Sequence, residues 1–157
     1  MLKYFIFIVA ICGLLVTSFV TKNVAETPVV EKPYDMQVVL TVKENYTRYD
    51  VYNLAMYYAD SYGIPYHHML LTIDGESDFQ QYAKGDGGKS LGACQIHSSN
   101  KIPTEKRNDP RYCLEWTAQK MSSGQARMWT AYRTCVLGET VIDKNGKRIL
   151  CHATGTL

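Results

Sequence analysis

The stretch from Leu70 to His97 reads LLTIDGESDFQQYAKGDGGKSLGACQIH, and the fold turns on how it is read. It joins the end of an apolar helix, an acid, a polar glycine-rich loop and the short segment Gly92-Ala93-Cys94-Gln95-Ile96. Met69, Ile73 and Glu76 share one helical face, so the carboxyl of Glu76 is aimed at apolar surroundings rather than open water. Burial penalises a charged carboxylate and raises its pKa. An acid held protonated near neutral pH can protonate a leaving group. The glycines of Gly85-Asp86-Gly87-Gly88 supply positive-φ turns, which suits one wall of a groove or a small β-hairpin. Gly92 and Ala93 let a ligand approach the backbone ahead of Gln95, whose amide both donates and accepts hydrogen bonds.

Upstream, Val51, Leu54, Ala55, Tyr58 and Tyr62 recur at helical spacing. The pattern predicts a helix over 48–62, stopped by Gly63, with Pro65 in the first turn of the next helix. His67 and His68 have no partner in the sequence and read as surface or edge residues. Residues 21–43 carry Pro28, Pro33 and mixed charges without a helical stripe and read as a spacer, with Val38-Val39-Leu40 as a short strand. Residues 1–20 form an export signal or membrane anchor: Lys3 precedes about 17 uncharged residues from Tyr4 to Val20, just long enough to span a bilayer. The body, residues 44–157, is therefore expected in the periplasm or cell envelope, held at the inner membrane if residues 4–20 are retained.

Downstream, Asp109-Pro110 is an N-cap and N1 pair for a third helix with Leu114, Ala118 and Met121 inward. Ser122-Ser123-Gly124 breaks it, and a fourth helix is predicted over 125–137, ended by Gly138. Asn145-Gly146 between Val141–Lys144 and Lys147–Leu150 signals a hairpin. If the third and fourth helices pair antiparallel about Gly124, Cys113 and Cys135, each 11 residues from it, face one another. The preferred disulfide is then Cys113–Cys135, which would contribute roughly 3 kcal/mol; Cys94 and Cys151 pair as the remainder or stay free. The same mirror places Trp116 opposite Tyr132.

The 157 residues allow one domain plus an appendage, and a formal net charge of +2 gives no field aimed at nucleic acid. Four body cysteines suit an oxidising compartment, and neither C-x-x-C nor Cys/His zinc spacing occurs, so no metal or cofactor is expected. Lys89-Ser90 lacks the spacing of a phosphate-binding loop, and Phe79 occupies the position at which a calcium loop needs glycine. The chain is expected to be α+β and mainly α.

Glu76-Ser77 followed by Gly92-Ala93-Cys94-Gln95-Ile96 resembles the Glu-Ser and Gly-Leu-Met-Gln motifs of the soluble lytic transglycosylase domain, a member of the lysozyme-like superfamily. Ala131-Tyr132-Arg133 resembles the later Ala-Tyr-Asn motif, with Arg in place of Asn. The resemblance covers roughly residues 48–135. It implies a lysozyme-like domain that cleaves the bond between N-acetylmuramic acid and N-acetylglucosamine in peptidoglycan, without metal or organic cofactor. Glu76 would be the catalytic acid, with Ser77, Gly92, Ala93, Gln95 and Tyr132 in contact with substrate or acid. Gln95 suits an acetamido group or sugar hydroxyl, and Tyr132 could hydrogen-bond the acid and position it.

In the implied reaction Glu76 protonates the glycosidic oxygen while the substrate acetamido group stabilises the cationic centre. The resulting carboxylate then takes the proton of the muramic C6 hydroxyl, closing a 1,6-anhydro ring. This departs from the usual pair of carboxylates. Goose-type lysozymes offer the rival: hydrolysis, with Asp86 as a second acid holding water. Against it, His97 stands where those lysozymes resemble Gln-Val-Asp. His97 reads as a groove-edge residue. A wall-binding assembly module without catalysis is the other open reading. Secretion-system, conjugation or phage assemblies are the settings such a protein would suit, with peptidoglycan strands as its partner.

Overall fold

The computed structural model describes residues 31–153, so the expected signal or anchor segment lies outside the described residues. Among the described residues no helix is long and apolar enough to cross a membrane. The body is α+β and mainly helical: α1 (Met36–Leu40), α2 (Arg48–Ser61), α3 (Tyr66–Ser77), α4 (Thr104–Asn108) and α5 (Pro110–Ser122), with two small sheets. One sheet is antiparallel in the order β1 (Lys84–Gly85), β2 (Ser90–Leu91), β3 (Ile96–His97), with Lys84 opposite Leu91 and Ser90 opposite His97. The other is the hairpin β4 (Val141–Ile142) and β5 (Arg148–Ile149).

Local chemistry sets the long helices. Thr47 and Asp50 form a reciprocal capping box at the start of α2. Asp50 is buried, which by itself would raise its pKa, but the Lys43 ammonium and the Thr47 donors outweigh this and hold it below the usual carboxylate value. Gly63, at φ 66°, ends the helix in a Schellman motif: Ile64 N–H donates to Ala59 C=O at 2.8 Å and Gly63 N–H to Asp60 C=O at 3.2 Å. α5 begins on Asp109 and Pro110 and ends at Gly124 in the same way. Pro65 takes the N-cap position of α3 rather than its first turn. α3 packs against both α2 and the segment after Trp129, and α2 also packs against α5. Leu54, Met69, Ile73 and Leu114 are fully buried between them.

Further expectations are corrected. Val38-Val39-Leu40 is helical in α1: the Asp35 side chain accepts from Gln37 N–H at 2.8 Å, and Val39 turns into the core. Residues 34–41, read as spacer, are part of the body. Tyr34 and Val39 are core residues, and the Arg111 guanidinium bonds the carbonyls of Val39 and Thr41. The helix expected over 125–137 is broken: a 3₁₀ turn, Ala126–Met128, leads to extended backbone at Trp129, and the helix resumes at Thr130 before a π-helical stretch, Tyr132–Val136.

That break undoes the mirror about Gly124. The disulfides are Cys94–Cys113 and Cys135–Cys151, not Cys113–Cys135. Trp116 lies edge-on to Trp129 at 5.8 Å rather than against Tyr132, whose ring lies edge-on to His68 at 5.6 Å. Two disulfides fit an oxidising, extracellular or periplasmic location.

Candidate active site

The Gly92–Gln95 turn is fixed from three sides. Gly92 adopts φ +76°, and a Cβ there would lie 1.8 Å from the Arg107 carbonyl oxygen, so only glycine fits. Cys94 is disulfide-bonded to α5, and its carbonyl accepts the buried Trp129 indole N–H at 2.9 Å. The buried Arg107 donates to the carbonyls of Lys89 and Ile96 at 2.9 and 3.3 Å, tying the residue that leads into β2, and β3 itself, to α4.

This frame leaves a groove in two lobes of about 250 and 180 Å³. Glu76, Asp86, Ser90, Gln95 and Thr130 line both lobes, so Glu76 stands where the two meet. Glu76 is half-buried in the last turn of α3. Its Oε1 accepts Ala131 N–H at 2.9 Å. Gly75 permits that approach: a Cβ on it would lie 2.8 Å from Ala131 Cβ. Burial raises the Glu76 pKa above its usual value; the Ala131 N–H opposes this, and the nearby Asp86 charge adds to it. The negative end of the α3 dipole acts in the same direction as burial. Glu76 is thus biased towards its acid form, beside a donor that steadies the carboxylate when it forms.

Asp86 is exposed at φ 50° and accepts Ser90 Oγ–H at 2.5 Å. Gln95 sits at φ 46°; its Nε2 donates to Gly92 C=O at 2.9 Å, and its Oε1 lies in the space left by the absent Gly85 side chain. One amide N–H and the amide oxygen of Gln95 therefore stay available to a ligand. His97 lines the smaller lobe with Asn100, Trp116 and Met128. Its Nδ1 accepts Ser99 N–H at 3.1 Å, which puts the proton of the neutral ring on Nε2.

Glu76, Asp86 and Gln95 are thus brought together, while the other expected residues play supporting parts. Gly92 and Ala93 are buried behind the groove and shape the turn that presents Gln95. Ser77 is buried and donates to Ile73 C=O within its own helix. Tyr132 lines neither lobe; the role expected of its hydroxyl, holding the acid, is filled by the backbone N–H of Ala131. Thr130, Thr134, Ile149, Leu150 and His152 line the larger lobe without having stood out in the sequence. A backbone donor has no side-chain signature, and the last three come from β5 and the chain just after it, which the Cys135–Cys151 disulfide ties to the segment following Ala131. Among the described residues no group of three or more His, Cys, Asp or Glu side chains is placed to hold a metal ion. Set beside known proteins, the chain matches no family model, no curated protein and no solved structure.

Proposed function

We propose that this protein is a peptidoglycan lytic transglycosylase of lysozyme-like fold that uses Glu76 alone as acid and then base. The observation that carries the proposal is the half-buried Glu76 carboxyl at the junction of two groove lobes, its pKa raised by burial and one oxygen bonded to Ala131 N–H. A glycan strand laid through both lobes presents its glycosidic oxygen to that carboxyl. Glu76 donates its proton as the C–O bond breaks, and the substrate acetamido group stabilises the cationic centre from its own side. The Ala131 N–H stabilises the carboxylate just formed. Glu76 then accepts the C6 hydroxyl proton, C6–O bonds to C1, and the acid is restored as the 1,6-anhydro ring closes. Gln95 offers its free N–H and its carbonyl to an acetamido group or hydroxyl.

A hydrolytic course is the second reading, favoured by one observation: Asp86 lines the same two lobes as Glu76. In it Asp86 would hold the attacking water. Glu76→Gln keeps the acceptor for Ala131 N–H and removes the transferable proton. Clearing of purified peptidoglycan is expected to fall by at least about a hundredfold in this variant, in line with the weight of general acid catalysis. Undiminished clearing would overturn both catalytic readings.

A further inference from the structure

The β4–β5 hairpin has no part in the chemistry above, yet the chain that leaves it reaches the groove. Ile149, Leu150 and His152 line the larger lobe together with Cys135. Two strands of two residues each make a marginal structure by themselves. The hairpin is held by its turn, where the Asp143 carboxylate accepts the N–H groups of Asn145 and Lys147, and by the Cys135–Cys151 disulfide. That disulfide is set beside the acid. A Cβ on Gly75, the residue preceding Glu76, would lie 3.4 Å from Cys135 Sγ.

The side chains presented there suit a saccharide. Leu150 is 55% exposed although it borders a concave site, and exposed His152 adds a polar edge beside it. A pyranose has an apolar C–H face and a polar rim, and it can place the first on Leu150 and Ile149 and the second on His152. Across the lobe Thr130 and Thr134 offer further polar contacts.

We propose that residues 149–152 are a substrate-contacting wall that fixes one sugar ring in the larger lobe, and that the Cys135–Cys151 disulfide holds this wall against the acid. The inference rests on the reading of Glu76 as the acid of a glycan-cleaving site. It assigns specificity to a segment outside the motifs that carry that reading.

The test uses full-length Glu76→Gln protein with labelled Ile, Leu and Met methyl groups, titrated with N-acetylglucosamine oligomers of increasing length. Short oligomers that occupy one lobe and longer ones that fill both are distinguished by which methyl signals move. Shifts at Ile149 and Leu150, together with those of Ile96 and Met128 in the smaller lobe, are expected with the longer oligomers. Adding Leu150→Ala, an exposed position, should weaken those oligomers roughly fivefold, as expected for truncating a partly covered leucine. Replacing both Cys135 and Cys151 by Ser should remove the Ile149 and Leu150 shifts while keeping those of Ile96 and Met128. Shifts confined to Ile96 and Met128 in the parent protein, with no effect of Leu150→Ala, would overturn the wall. If the wild type still digests peptidoglycan in that case, the Glu76 reading stands. No shift in either lobe, with no digestion by the wild type, would overturn both.

Discussion

Gly75→Ala is the most searching perturbation of the acid's setting. The added methyl would lie 2.8 Å from Ala131 Cβ. Carbon atoms rest at about 3.5–4.0 Å, so α3 and the segment bearing Ala131 must part by roughly 1 Å. Ala131 N–H now meets Glu76 Oε1 at 2.9 Å. A 1 Å separation along that line takes the bond past about 3.6 Å, where it no longer counts as one. Overpacking of this kind costs about 1–3 kcal/mol, offset by about 1 kcal/mol from the better helix propensity of alanine. The stability loss should therefore stay within about 2 kcal/mol. Catalysis should suffer more, because a misplacement of about 1 Å can cost a hundredfold in rate. Removing a donor that favours the carboxylate also raises the Glu76 pKa further, so the alkaline limb of the pH–rate profile should move to higher pH. Thermal melting, clearing rates on purified peptidoglycan and the pH profile together decide it. A variant that keeps the wild-type rate and limb would refute the claim that this contact sets the acid.

Other perturbations follow from the same structure. Glu76 has a raised pKa in the folded chain, so native protein binds the extra proton between the ordinary carboxyl value and the raised one, and stability is lost as pH climbs through that interval. Glu76→Gln should therefore melt higher than the wild type above the raised value, with the gap closing below the ordinary one; a constant gap across melts at several pH values would contradict this. Gly92→Ala puts a methyl on the Arg107 carbonyl and a side chain at φ +76°, and urea unfolding should show a loss of at least about 3 kcal/mol. Trp129→Phe leaves the Cys94 carbonyl without its indole donor and should cost about 1–3 kcal/mol in the same assay. Asp50→Ala removes half the α2 capping box and the partner of Lys43, for a loss of about 1–2 kcal/mol; this carboxylate is held below its usual pKa, so its contribution should vanish as pH falls through that lowered value.

What the sequence disclosed was local. The limits of α2 and α5 lie where Gly63, Asp109, Pro110 and Gly124 place them, because caps and stops act within a few residues. Glu76, Asp86 and Gln95 share one groove, as the run from Leu70 to His97 suggested, because the β1–β2 turn is too short to carry them apart. What stayed hidden depends on distant partners. Trp129 interrupts a helical pattern because its indole finds the Cys94 carbonyl, 35 residues away in sequence. With that helix broken, the symmetry that paired Cys113 with Cys135 is gone. Val39 is held against the body because Arg111, far along the chain, bonds the carbonyls of Val39 and Thr41 at the end of α1. The donor to Glu76 was expected from the Tyr132 side chain and comes from the backbone one residue earlier.

The mass spectrum of the products released from purified peptidoglycan tests the central claim most directly, with wild-type and Glu76→Gln protein run side by side. Muropeptides ending in 1,6-anhydromuramic acid from the wild type, and none from the variant, are the expected result. Reducing muramic ends would mean that water, not the C6 hydroxyl, completes the reaction, and equal release by both proteins would mean that Glu76 is not the acid.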